Sequence, residues 1–168
     1  MKTNQTMKAA AIQIEARVAD LHYNISQAGD FAEKALKAGA RIVALPEFFT
    51  TQIVLDDRLF SASLNKKNNS ALEMLKNLSS RYEATIGGSY LEHDELSGDV
   101  FNTYTLIEPN GTVHRHKKDI PTMAENAFYI GGSDTGLLNT EHAAIGANVC
   151  WETIRSATVK RLAGKCDL

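Results

Sequence analysis

Three side chains in this sequence are of the types that nucleophilic attack on a carbon–nitrogen bond requires. Glu47 in "ALPEFF" and Cys150 in "GANVCWE" each follow a short apolar run, and Lys118 in "HRHKKDIPT" follows the second strand of a hairpin. A thiol working as a nucleophile needs a base to take its proton. It needs positive charge or oriented N–H groups where negative charge develops, and an exposed, electropositive setting. Glu47 has the chemistry of the base and Lys118 that of the charge. A helix opening at Trp151 would aim its N-terminal dipole at Cys150 and favour the thiolate. Taken singly, each residue has an ordinary explanation: a glutamate after proline is usually solvated, a cysteine closing an apolar strand is usually core, and a lysine in "HKK" is usually surface charge. His114, His116 and His142 lie near the relevant segments, but none stands in a Cys-His pattern.

The elements that must position these residues are legible as patterns. "MKAAAIQI" (7–14), "RIVAL" (41–45), "ATIGGSYL" (84–91), "VFNTYTLI" (100–107) and "AAIGANVC" (143–150) read as strands. From Leu21, apolar residues recur through Ile25, Ala28, Ala32, Ala35 and Leu36 at helical spacing, with Gly39 as the stop. Residues 70–82 read as a second helix, with Ser70 and Glu73 as a capping box. "EPNGT" (108–112) carries an Asn-Gly turn, which predicts a hairpin into "TVHRHK". Residues 153–164 read as a last helix, and "KCDL" as the opening of one more strand. Strand and helix alternate first and a hairpin follows, so the fold expected is α/β with a mixed sheet. In such sheets, ligands gather at the carboxyl ends of strands, which is where Glu47 and Cys150 fall.

Composition excludes several classes. Hydrophobic residues make up 43% and charged residues 23%, so a packed domain is expected rather than a disordered chain. A net charge of -2 leaves no basic excess for a nucleic-acid face. No apolar run is long enough to cross a bilayer, and "MKTNQTMKAA" lacks a signal peptide's apolar centre. Two cysteines make no disulfide framework, so a reducing cytoplasm is expected. No paired Cys-x-x-Cys suggests zinc, and no metal or organic cofactor is expected. "IGGSDTG" (130–136) lacks the Lys-Ser/Thr ending of a phosphate loop and reads as a turn.

The order Glu, Lys, Cys within those three motifs resembles the nitrilase superfamily of carbon–nitrogen hydrolases. The similarity begins near Met7 and runs to the last residue. It implies a domain over residues 7–168 behind a polar extension, 1–6, and an α-β-β-α sandwich. It further implies Glu47 as general base, Lys118 as stabilising lysine, Cys150 as nucleophile, and Glu125 in "PTMAEN" as a second glutamate beside them. Trp151 would offer its backbone N–H to the developing anion. "KDIPTMAE" follows the Lys-x-x-Pro spacing of the nitrilase and aliphatic amidase branches, which selects Lys118 over Lys117. The substrate implied is a small nitrile, amide or carbamoyl compound, with no nucleic-acid or membrane partner. Family members continue past the equivalent of Leu168, so the sandwich is expected to be truncated at its C-terminus. A longer form is expected to be a homo-oligomer. Two other readings stand beside this one: a non-catalytic remnant acting only through association with another chain, and an α/β domain in which Cys150 is merely core.

Overall fold

The computed structural model describes residues 6–168. The polar extension expected over 1–6 lies, apart from Thr6, outside the described residues. A mixed sheet forms the centre. β1 (Ala9–Ala11), β2 (Ile42–Ala44) and β4 (Thr85–His93) run parallel, and the short β3 (Leu64–Asn65) pairs parallel with the far end of β4. β5 (Val100–Ile107) and β6 (Val113–Lys117) add antiparallel strands, giving the order β1-β2-β4-β5-β6. Their hairpin turns at Asn110-Gly111, where Gly111 has a φ of 87°.

One face of this sheet is covered by α1 (Leu21–Lys37) and α3 (Ser70–Tyr82). Ala28, Ala32 and Leu36 of α1 fall on one stripe, and Leu72, Leu75 and Leu78 of α3 on another. Both stripes are buried against Val43, Ile86 and Ile107. Full burial of each leucine stabilises by about 1.5–3 kcal/mol. Asp20 caps α1 by accepting from the Tyr23 N–H at 3.1 Å, and Gly39, with a φ of 90°, ends it.

The opposite face receives a second sheet, β7 (Leu137–Asn139) antiparallel to β8 (Ala144–Gly146). Leu138, Ala147 and Ile145 pack on Leu106 and Tyr104. Beyond them lies α4 (Ser156–Leu162). A Cβ placed on Gly146 would meet the Leu162 side chain at 3.2 Å, so helix and second sheet are in contact. The layer order is therefore α-β-β-α.

Several expected boundaries shift. The strand expected over 143–150 ends at Gly146, four residues before Cys150, and pairs with β7 instead of entering the large sheet. The helix expected over 153–164 is two pieces, a 3-10 turn over Cys150–Thr153 and then α4. The cap of α3 is Asn69, not Ser70: its side chain accepts from the Leu72 N–H at 2.8 Å. α2 (Arg58–Ser61) and β3 had no visible periodicity to betray them. The final residues do run beside β8, through Asp167 N–H to the Ala144 carbonyl at 2.7 Å and Gly146 N–H to that of Leu168 at 2.8 Å. No helix among the described residues is long and apolar enough to cross a membrane.

Candidate active site

Glu47 stands in the tight turn that follows β2. Phe48 adopts a left-handed φ of 51°, and its N–H donates to Ser89 Oγ at 3.2 Å. The turn is tied from behind by Asn24, buried on α1, whose amide donates to the Thr50 carbonyl at 2.8 Å. Gly88 on β4 lets this turn approach: a Cβ there would lie 2.7 Å from Leu45 Cβ and 2.8 Å from the Phe49 ring. The result is a fixed carboxylate. Glu47 Oε1 accepts from Asn102 Nδ2 at 2.8 Å and from Lys118 Nζ at 3.0 Å.

Lys118 follows β6 directly, and its side chain is fully buried. Its backbone is held on both sides: its N–H donates to the Asn102 carbonyl at 2.9 Å, and its carbonyl accepts from Gly132 at 2.8 Å. The "GG" of residues 131–132 is a packing feature. A Cβ on Gly131 would fall 2.0 Å from the Asp119 oxygen, and one on Gly132 2.5 Å from that of Lys117. The Lys118 ammonium sits between two carboxylates, Glu47 at 3.0 Å and Glu125 Oε2 at 2.8 Å. Burial works to discharge it, but its hydrogen bonds to Glu125 and Glu47 and the charges of both carboxylates outweigh that and raise its pKa. Lys117 points elsewhere, its ammonium 3.4 Å from the centre of the Phe101 ring. Adjacent residues of a strand face opposite ways.

Glu125 lies in a 3-10 turn over Met123–Ala127. The same oxygen that meets Lys118 accepts from the Thr122 N–H at 2.7 Å and from the Tyr129 hydroxyl. Burial pushes this carboxyl up, yet the donors prevail and its pKa is lowered. Tyr129, desolvated and facing Glu125, keeps its proton, with its pKa raised.

Cys150 is exposed, which removes the reading that it is a core residue. It lines, with Glu47, Ser89, Tyr104 and Asn148, a cavity of about 260 Å³ between the two sheets. Its φ is 56°, a left-handed conformation on a residue with a side chain. Such a conformation costs of order 1–3 kcal/mol and persists only where its surroundings impose it. The expectation that a helix dipole would favour the thiolate is not met, because only a single 3-10 turn opens at Cys150. Burial raises the thiol pKa first, and the Glu47 charge raises it further, against the lowering effects of Lys118 and the Trp151 N–H. At rest this cysteine is a thiol. Cys166 is partly buried, its Sγ 3.6 Å from the Leu162 carbonyl, rather than lying at a loose end.

Sequence reasoning missed a second polar group beside these residues. His116, on β6, is fully buried between Asp134 at 2.5 Å and Glu152 at 2.9 Å. Asn102 was also missed, although it holds both Glu47 and the Lys118 backbone. The alternation of "HRHKK" carried the signal for His116, since residues 116 and 118 face the same side of a strand. Asn102 gave none. Among the described residues, no cluster of three His, Cys, Asp or Glu residues is placed to hold a metal ion.

Comparison with known proteins agrees with this architecture. The carbon-nitrogen hydrolase family model matches residues 8–165. The omega-amidase Nit3 of Saccharomyces cerevisiae is 26% identical over 164 residues, covering 89% of this chain and 56% of that protein. The omega-amidase Nit2 of Xenopus tropicalis is 28% identical over 158 residues, covering 86% and 55%. The chain thus spans just over half the length of these relatives. The structure of an amidase mutant from Nesterenkonia sp. AN1 superposes with a TM-score of 0.79 at 20% identity, over 93% of this chain and 62% of that one.

Proposed function

We propose that this chain, which belongs to the carbon–nitrogen hydrolase family, uses Cys150, Glu47 and Lys118 to hydrolyse a small amide, or a nitrile, to a carboxylic acid and ammonia. The observation that carries the reading is the pairing of the buried Lys118 ammonium with Glu47 at 3.0 Å, where Glu47 and the exposed Cys150 line one cavity. Amides come first because the two relatives named above are omega-amidases.

The steps follow from the protonation states. A thiol with a raised pKa needs a base at the moment of attack, and the carboxylate lining the same cavity is Glu47. As the carbonyl carbon arrives, Glu47 takes the thiol proton and Sγ bonds to carbon, leaving an oxyanion. The Lys118 ammonium and the Trp151 N–H are the positive groups near the thiol that can receive that charge. One such donor is worth about 2.7–4 kcal/mol in a transition state. Glu47 then returns its proton to the departing nitrogen, the carbon–nitrogen bond breaks, and ammonia leaves a thioester on Cys150. Water attacks that thioester while Glu47 accepts its proton. Collapse releases the acid, and the sulfur recovers the proton from Glu47. Glu125 stays ionised throughout and fixes Lys118.

The test is direct. The chain is incubated with propionamide and with propionitrile, ammonia release is measured, and quenched protein is weighed by mass spectrometry. A propionyl adduct confined to the Cys150 peptide is expected, and it should vanish in Cys150→Ala. An adduct on Cys166, or none on a folded chain with either probe, sinks the reading.

A further inference from the structure

We propose that His116 and Glu152 are positioning residues, a buried pair that fixes the backbone on both sides of the reacting groups, and in this the proposal rests on the functional reading above. Neither side chain touches the space where substrate would sit. Glu152 spends its remaining acceptor capacity on two main-chain donors: the Asp119 N–H at 2.9 Å and the Val149 N–H at 2.7 Å. Asp119 is the residue after Lys118, and Val149 the residue before Cys150. One carboxylate therefore sets the distance between the segment carrying the ammonium and the turn carrying the thiol.

His116 completes the arrangement from the other side. Its second nitrogen meets Asp134, which accepts from the Lys117 N–H at 2.9 Å and from Gly136 at 2.9 Å. Lys118 is thus flanked by two backbone donors, those of residues 117 and 119, each held by a carboxylate bound to the same imidazole. A neutral imidazole donates from only one nitrogen, whereas the cation donates from both. With a carboxylate on each nitrogen, the geometry calls for the imidazolium. Burial alone would lower its pKa, but the hydrogen bonds and charges of Asp134 and Glu152 raise it to about 9. The other charged groups in reach are Arg161, 3.7 Å from Glu152, and Asp119, paired with Arg155 and Arg161. None of these reaches the imidazole.

The left-handed Cys150 gives the pair its purpose. A strained residue holds its conformation only if its neighbours are over-determined, and Val149 N–H to Glu152 is the bond that closes this turn. If the imidazole loses its charge, it can donate to only one of its two carboxylates, and the buried Glu152 faces a neutral ring in place of a cation, which weakens its hold on the turn.

Hydrogen–deuterium exchange tests this without needing turnover. The full chain and its His116→Gln, Glu152→Gln and His114→Gln variants are compared by peptide mass spectrometry. Loss of a charged hydrogen bond should speed exchange about tenfold or more in the peptides containing Asp119 and Val149. The α1 and α3 peptides should be unchanged, and His114→Gln should match the parent. Wild-type protein gives a second arm that needs no mutant to fold: protection of the same two peptides should fall as pH passes about 9, before α1 opens. Where propionamide turnover is detectable, His116→Gln should lower kcat and leave KM nearly unmoved. Unchanged exchange at both segments overturns the proposal. So does equal loss across α1 and α3, which would mean a general folding role. The Cys150 adduct experiment can fail while these exchange results hold, and the reverse, so the two ideas are separable.

Discussion

The Lys118 ammonium and the Glu47 carboxylate, 3.0 Å apart, come from segments 71 residues apart in sequence and meet with the lysine side chain wholly out of water. Removing one member of a buried pair strands the other's charge, at a cost of roughly 3–5 kcal/mol. Glu47 and Glu125 keep slight solvent contact, which places the cost toward the lower end. Lys118→Met should therefore lower the denaturation midpoint as well as abolish the Cys150 adduct. Lys117→Met removes only a cation over the Phe101 ring, worth about 0.5–1 kcal/mol, and should leave adduct formation intact. Urea melts with adduct mass spectrometry separate the two. Adduct loss in Lys117→Met alone would shift the site by one residue.

Glu125→Gln should behave differently. A glutamine oxygen can still accept from Thr122 and Tyr129 and Glu47 still faces the ammonium, so the loss of stability should stay below that of Lys118→Met, at about 1.5–3 kcal/mol. Lys118 would lose one of its two anionic partners and with it a fixed position. A misplacement of about 1 Å costs on the order of 10²-fold, so kcat should fall far more than stability. Activity retained within twofold would make Glu125 a structural residue only.

The parts of this arrangement legible in the sequence were those with a period or a motif. Buried strands and the α1 stripe announce themselves through apolar spacing, and Glu47, Lys118 and Cys150 through the runs around them. The second sheet was misread because "AAIGANVC" is continuous in hydropathy, while its pairing stops at Gly146, where α4 and Cys166 press against the backbone. The turn at Cys150 was misread because a left-handed cysteine has no compositional signature. His116 and Glu152 lie 36 residues apart, and nothing local in either segment asks for the other.

The pH dependence of stability has a definite sign. His116 has a folded pKa of about 9 against an ordinary 6.5. Its contribution is fully present below about 6.5 and is lost as pH rises through 9, with a slope near 1.4 kcal/mol per pH unit per proton. Asp134, lowered to about 2, and Glu152, also lowered, act oppositely: their contribution is present above the ordinary carboxylate range and is lost on acidification. Unfolding midpoints should thus be highest between about pH 5 and pH 6.5 and decline on both sides. His116→Gln should flatten the alkaline decline. A parent whose stability rises from pH 6.5 to 9 would contradict the imidazolium.

Backbone strain at Cys150 gives the last prediction. With φ at 56°, any residue bearing a Cβ sits in a region costing roughly 1–2 kcal/mol, whereas glycine enters it freely. Cys150→Ala keeps the strain and loses the thiol. Cys150→Gly loses both, although the unfolded chain gains freedom that offsets part of the benefit. The glycine variant should therefore be the more stable of the two by roughly 1 kcal/mol, the reverse of the usual order of alanine and glycine. Both should be inactive, so the comparison reads conformation and not chemistry. Thermal melts of the pair at pH near 6, where the His116 contribution is full, decide it. If the alanine variant melts higher, Cys150 is not held in a left-handed turn, and Val149 N–H to Glu152 is not the bond that holds it there.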